Sequence, residues 1–200
     1  MKISRMFGLS AALAACAVLS GCVASLDSDK GVSSNPAERA AFAADVVSQW
    51  SQTASLAARR LMERYGPPDE VRRDRLVWRG NAPWEITTVS DAWPQLDQAT
   101  DADLGVVAQT VRLSLTPFQA AAAVAAAADE RVTYDPVHHE LTARSDREEV
   151  NILRLNLAVD AAQSRLSVAE ARQQYARDLM LEASGKVLPD MQVLRFTPDR

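Results

Sequence analysis

Arg75-Leu76-Val77-Trp78-Arg79-Gly80-Asn81-Ala82-Pro83-Trp84-Glu85-Ile86-Thr87-Thr88-Val89-Ser90 reads as strand, turn, strand. Arg75 to Arg79 is a short β-branched and aromatic run. Gly80-Asn81-Ala82-Pro83 punctuates it, and Trp84 to Ser90 is the antiparallel partner. Helical patterns lie on both sides of this hairpin. Helices mixed with short, mostly hairpin-linked strands predict an α+β fold.

Upstream, Asn35-Pro36-Ala37-Glu38 opens a helix. Asn35 can accept from a first-turn N–H, Pro36 suits the first helical position, and Glu38 closes a capping-box-like pattern. The apolar face then runs through Val46, Val47, Trp50, Ala54, Ala58, Leu61 and Tyr65. Ser51-Gln52-Thr53 has poor helix propensity and predicts a break into two helices. Gly66 is a natural left-handed cap, and Pro67-Pro68 forbid continuation.

Downstream, Asp91 to Asp103 is loop-like. Val107, Gln109, Val111, Leu113 and Leu115 alternate with Ala108, Thr110, Arg112 and Ser114, which predicts a strand with one buried face. Thr116-Pro117-Phe118-Gln119 caps an Ala-rich helix running to about Ala128. Arg131–Tyr134 and Glu140–Arg144 form a second hairpin around Asp135-Pro136-Val137-His138-His139. Ser145-Asp146-Arg147-Glu148 and Ser167-Val168-Ala169-Glu170 are two further capping boxes. The helix after the first carries Val150, Leu153, Leu157 and Ala161 on one face. The helix after the second carries Val168, Ala171, Tyr175, Leu179 and Ala183, with Gly185 as its cap. Met191 to Phe196 reads as a final strand.

The 200 residues are 48% hydrophobic and 24% charged, with a formal net charge of -4. A packed core is expected, and no basic tract or interleaved aromatic-basic strand points to nucleic acid. Lys2 and Arg5 precede the apolar run Met6–Ser20, which is too short for a permanent membrane helix. Leu19-Ser20-Gly21-Cys22 closes it and resembles the bacterial lipobox. That resemblance implies a diacylglycerol on the Cys22 thiol, cleavage before Cys22, and acylation of the new amine. Val23 rather than Asp after the cysteine resembles the outer-membrane sorting pattern of enteric bacteria. The expected layout is a lipoprotein signal peptide at 1–21, lipidated Cys22 and a tether to residue 35, and an α+β domain at 36–200. That domain reads as one unit or as two subdomains, 36–103 and 104–200. With Cys16 in the signal and Cys22 lipidated, the mature chain has no free thiol and no disulfide, so thiol catalysis is excluded.

No Walker A loop, Gly-x-Gly-x-x-Gly, His-Glu-x-x-His or Gly-x-Ser-x-Gly occurs. His138 and His139, beside Glu140 and near Asp135, are the best metal candidates. Neighbouring strand residues point to opposite faces, so only an irregular turn brings both imidazoles to one ion. The pattern fits an exposed turn better, and neither a metal nor another cofactor is expected. Arg73, Arg75 and Arg79 alternate onto one strand face, with Arg72 beside them. They read either as an anion contact or as a solvated face neutralised by Asp69, Glu70 and Asp74. Trp78, Trp84 and Trp93 read as core under the hairpin or as a groove for a partner or sugar chain.

Two stretches carry a wider resemblance. Leu61-Met62-Glu63-Arg64-Tyr65-Gly66-Pro67-Pro68-Asp69-Glu70 with its hairpin, and Asn151-Ile152-Leu153-Arg154-Leu155-Asn156-Leu157-Ala158-Val159-Asp160, resemble a group of uncharacterised bacterial lipoproteins. The helix–Gly-Pro–strand passage locally resembles the small lipoprotein accessory of the outer-membrane β-barrel assembly machine. These resemblances imply no catalytic residue. The expectation is a non-catalytic binding or assembly-accessory lipoprotein on the outer membrane, facing the periplasm. Its anchor is Cys22, its partner an envelope protein or cell wall, and its partner surface Arg73, Arg75, Arg79, Trp84 and Trp93. The alternatives are an envelope enzyme using carboxylates or a metal at His138-His139, and a structural lipoprotein without a specific ligand.

Overall fold

A computed structural model describes residues 35–91, 105–127 and 129–199. Cys22, its tether up to residue 34, and Trp93 lie outside them. The fold is α+β. Helices α1 (Pro36–Val47) and α2 (Gln52–Tyr65) precede strands β1 (Glu70–Val71), β2 (Arg75–Arg79), β3 (Ile86–Ser90) and β4 (Val107–Arg112). Helix α3 (Pro117–Ala126), the hairpin β5 (Val132–Asp135) and β6 (Glu140–Ser145), and helices α4 (Glu148–Ala162) and α5 (Val168–Ala183) follow. The six strands form one antiparallel sheet in the order β1-β2-β3-β4-β6-β5. Because β3 pairs with β4, the sheet runs unbroken across the boundary between 36–103 and 104–200.

Register fixes which side chains share a face. Leu76, Trp78, Val89, Val107, Val111, Leu141, Ala143 and Val132 fall on the helix side. Under α1 and α2, Leu76, Trp78, Val89 and Val107 pack with Ala43, Val47, Ala58 and Leu61. Under α3 and α4, Val111, Leu141, Ala143 and Val132 pack with Ala123, Ile152, Leu155 and Val159. β4 was expected to bury one face. Ala108 and Thr110 on its other face are also closed off, because β4 is flanked by β3 and β6 and Thr110 shares a 2.8 Å hydrogen bond with Thr142.

Both hairpins and the break between α1 and α2 fall where the sequence places them. The Thr116–Gln119 and Ser167–Glu170 capping boxes are formed. Asn35 accepts from Ala37 N–H at 3.0 Å. Gly66 takes the positive φ expected of it, 78°, but with an extended ψ of -164°.

Three expectations are overturned. The Ser145 box does not form. Arg147 is the N-cap of α4, and the Ser145 hydroxyl instead donates to the Arg147 carbonyl at 2.6 Å. Glu148 is thereby free to turn into the core. Second, α4 does not have one buried face: 14 of its 15 residues are buried, so no face reaches solvent. Val150, Leu153, Leu157 and Ala161 do form a face, but it meets Ala171 of α5 and Met191, while Ile152, Leu155, Ala158 and Val159 form a second against the sheet. Third, Met191–Phe196 is not a strand. A 3₁₀ turn, Pro189–Met191, leads into an irregular run laid against α4. Asn156 supplies the hydrogen bonds that a neighbouring strand would give. Its Nδ2 donates to the Asp190 and Val193 carbonyls, both at 2.9 Å, and its Oδ1 accepts from Arg195 N–H at 2.8 Å. Arg195 also pairs with Asp160.

Asn156→Ala strands two carbonyls and one N–H of this run, and costs roughly 3 kcal/mol at about 1 kcal/mol per lost hydrogen bond. Chemical denaturation is expected to show the lower midpoint, and hydrogen exchange at the Arg195 amide is expected to accelerate. An unchanged midpoint and unchanged exchange would show that Asn156 does not hold the tail.

Candidate functional site

A cleft of about 400 Å3 opens between α2 and the start of α4. Ala57, Leu61 and Val107 make its apolar surface, and Leu56, half exposed, adds to it. Its charged walls are Arg60, Glu63 and Arg64 from α2 and Asp146, Arg147, Glu148 and Glu149 from α4 and its lead-in.

Glu148 closes the inner end. Its side chain is 5% exposed. A buried carboxylate is costly unless it is paired and hydrogen-bonded, and Glu148 is both. Oε1 accepts from the Tyr65 hydroxyl at 2.6 Å and from Trp84 Nε1 at 2.8 Å. Oε2 lies 3.2 Å from the Arg64 guanidinium. Glu148 is also the first residue of α4, where the helix dipole favours a negative charge. Trp84 Nε1 donates further to the Tyr65 oxygen at 3.1 Å. One carboxylate thus ties α2, the β2–β3 hairpin and α4 together. Burial, followed by the hydrogen bond to Glu148, raises the Tyr65 phenol well above its ordinary value. Arg147 leaves the cleft to grip Glu182 of α5 through two hydrogen bonds, at 2.7 and 2.9 Å.

The residues singled out in the sequence do not converge here. Trp84 is 2% exposed and Trp78 likewise, so both belong to the core and Trp84 is no partner-facing surface. Trp84 instead donates to Glu148, which gives its indole N–H the partner a buried tryptophan needs. Arg73 is not on a strand face. It sits in the turn between β1 and β2, where its carbonyl accepts from Trp50 Nε1 at 2.7 Å. Arg75 and Arg79 do share a face of β2. Glu70 binds both Arg72 and Arg79, and chiefly through Arg72 its carboxyl is held below the usual carboxylate range. That is the neutralised arrangement, with Glu70 as the counter-charge.

His138 and His139 both lie in the turn between β5 and β6, not on a strand, and there they take different partners. His138 Nδ1 lies 2.7 Å from Asp135 Oδ2, and Asp135 raises its pKa. His139 takes φ 56° and faces the Tyr134 hydroxyl at 3.4 Å. Among the described residues no group of three His, Cys, Asp or Glu side chains is placed to hold a metal ion. No described helix is long and apolar enough to cross a membrane.

Sequence reading missed the cleft because it spent Glu148 on a capping box. The available signal was the polar set Glu148, Asn151, Arg154, Asn156 and Asp160 threaded through an apolar helix. Comparison with known proteins adds no relative: no family model matches this chain, and neither does any curated protein or solved structure.

Glu148→Gln removes the negative charge from the Tyr65 hydroxyl. One of the three tyrosines of the wild type is expected to ionise far above the ordinary value of about 10, and in Glu148→Gln its pKa is expected to fall partway back. Because the folded pKa is raised, the stability this phenol contributes is whole below about pH 10 and is lost as pH rises through the folded value. Phenolate absorbance against pH measures both. Three tyrosines titrating together near the ordinary value would contradict the Glu148–Tyr65 bond.

Proposed function

We propose that this protein is a lipid-anchored protein of the bacterial envelope that holds a protein or cell-wall partner at the outer membrane. The observation that carries the reading is Leu19-Ser20-Gly21-Cys22 at the end of a cationic and then apolar leader. Acyl chains at Cys22 hold the domain at the bilayer, because each buried methylene contributes about 0.8 kcal/mol and two or more chains bind stably.

The cleft between α2 and α4 is the surface this reading assigns to the partner. It combines an apolar floor with charged walls, the mixture by which binding sites fix orientation. The basic cluster at β2 serves less well, since Glu70 already answers Arg79 and, just before the strand, Arg72. Binding without catalysis fits the chemistry of Glu148. Both its oxygens are committed to Tyr65, Trp84 and Arg64, so this buried carboxylate acts as a structural clamp.

The test is fractionation and cross-linking in envelopes of the native host, comparing wild type with Cys22→Ser. Wild type is expected in the membrane fraction with a defined set of cross-linked partners, and Cys22→Ser is expected to be released and to lose them. A Cys22→Ser protein that keeps its membrane location and its partners would refute the anchor.

A further inference from the structure

We propose that the cleft binds a short dipolar peptide, presenting a carboxylate to Arg60 and an amine to Glu149. The inference rests on the reading of the protein as a binding protein and adds the ligand class. α2 and α4 meet at Arg64–Glu148, 3.2 Å apart. Arg60 lies four residues before Arg64, on the same face of α2, and Glu149 follows Glu148 on α4. Both line the cleft, and among the described residues neither forms an ion pair or hydrogen bond. Glu149 acts only at longer range, on Arg147. The remaining charges on the α4 side are spoken for: Arg147 by Glu182 and Asp146, Glu148 by its three donors. The cleft is therefore closed by a salt bridge at one end and, among the described residues, bears charges of both signs without a direct partner elsewhere.

That arrangement selects by charge. A simple anion suits Arg60 but meets Glu149 and Glu63, and a simple cation meets Arg60; like-charge contacts of this kind reject a ligand. A purely apolar ligand covers Ala57, Leu61 and Val107 but desolvates charges it cannot pair. A ligand with an amine and a carboxylate on one small apolar body satisfies both. Short peptides carry that combination, and a volume of about 400 Å3 falls within the range of roughly 300–1,000 Å3 usual for small-ligand sites.

The test is calorimetric titration of the lipidated mature chain in detergent micelles. The probes are the tripeptide Glu-Leu-Lys and an uncharged control, Ala-Leu-Ala blocked at both ends. Saturable binding of the charged tripeptide alone is expected. Arg60→Glu and Glu149→Lys are each expected to weaken it about tenfold or more, the scale of one lost charge-assisted hydrogen bond. The double variant Arg60→Glu/Glu149→Lys is expected to recover most of the loss by accepting the peptide reversed. Neither position is fully buried, and thermal melts matching wild type establish that the variants fold. Absence of saturable binding, equal binding of the blocked control, or an unaffected Arg60→Glu would each overturn the proposal. Cys22-dependent partners persisting without tripeptide binding would remove the peptide alone. Tripeptide binding without Cys22-dependent partners would remove the anchored-adaptor reading and leave the cleft.

Discussion

The constraint on which the rest of this structure depends is that α4 has no outward face. A helix buried on all sides cannot keep polar residues by turning them to water, so each must find a partner inside the protein. Glu148 takes Tyr65, Trp84 and Arg64. Asn151 donates to Gln109 at 3.1 Å in the centre of the sheet. Arg154 pairs with Asp129 and stacks 4.6 Å above the Tyr175 ring. Asn156 and Asp160 hold the C-terminal run. Five polar side chains on one helix therefore reach α2, the hairpin, the sheet, α5 and the tail. Apolar contact alone tolerates sliding, whereas a helix pinned at five points along its length has one register and one rotation.

The same constraint shapes the cleft. Glu148 is drawn inward by Trp84 and Tyr65, and Arg64 follows it, so α2 and α4 close on each other there. Among the described residues no such partner draws Arg60 or Glu149 across. The gap between the helices is thus a by-product of where the buried clamp sits, and Arg60 and Glu149 line it beside charges that the fold does use.

Much of the fold was legible because its signals are local. Pro36 after Asn35, Gly80 to Pro83, and Thr116-Pro117 with Gln119 each fix chain direction within a few residues, and the strands between them follow the alternation, although β4 ends at Arg112 where the alternation runs on to Leu115. What was not legible depends on distant partners. Ser145 and Glu148 have the spacing of a capping box, yet Glu148 is taken by Tyr65 and Trp84, which no local pattern contains. Met191–Phe196 has the composition of a strand, yet Asn156 takes up its backbone groups from another helix. Periodicity picked out one apolar stripe of α4; the second stripe and the polar residues between them mark a helix enclosed on every side. The candidate site was less legible than the fold. Arginine and tryptophan near the first hairpin drew attention, but Glu70 neutralises the former and the core absorbs Trp78 and Trp84.

Native-state hydrogen exchange resolved along the chain tests the central role of α4 most directly. If α4 is the enclosed hub, amides from Ile152 to Val159 exchange only through global unfolding, with free energies equal to those of the innermost strand, β4, and the α1 amides exchange earlier. Exchange of the α4 amides through a local opening, while β4 stays protected, would contradict the account.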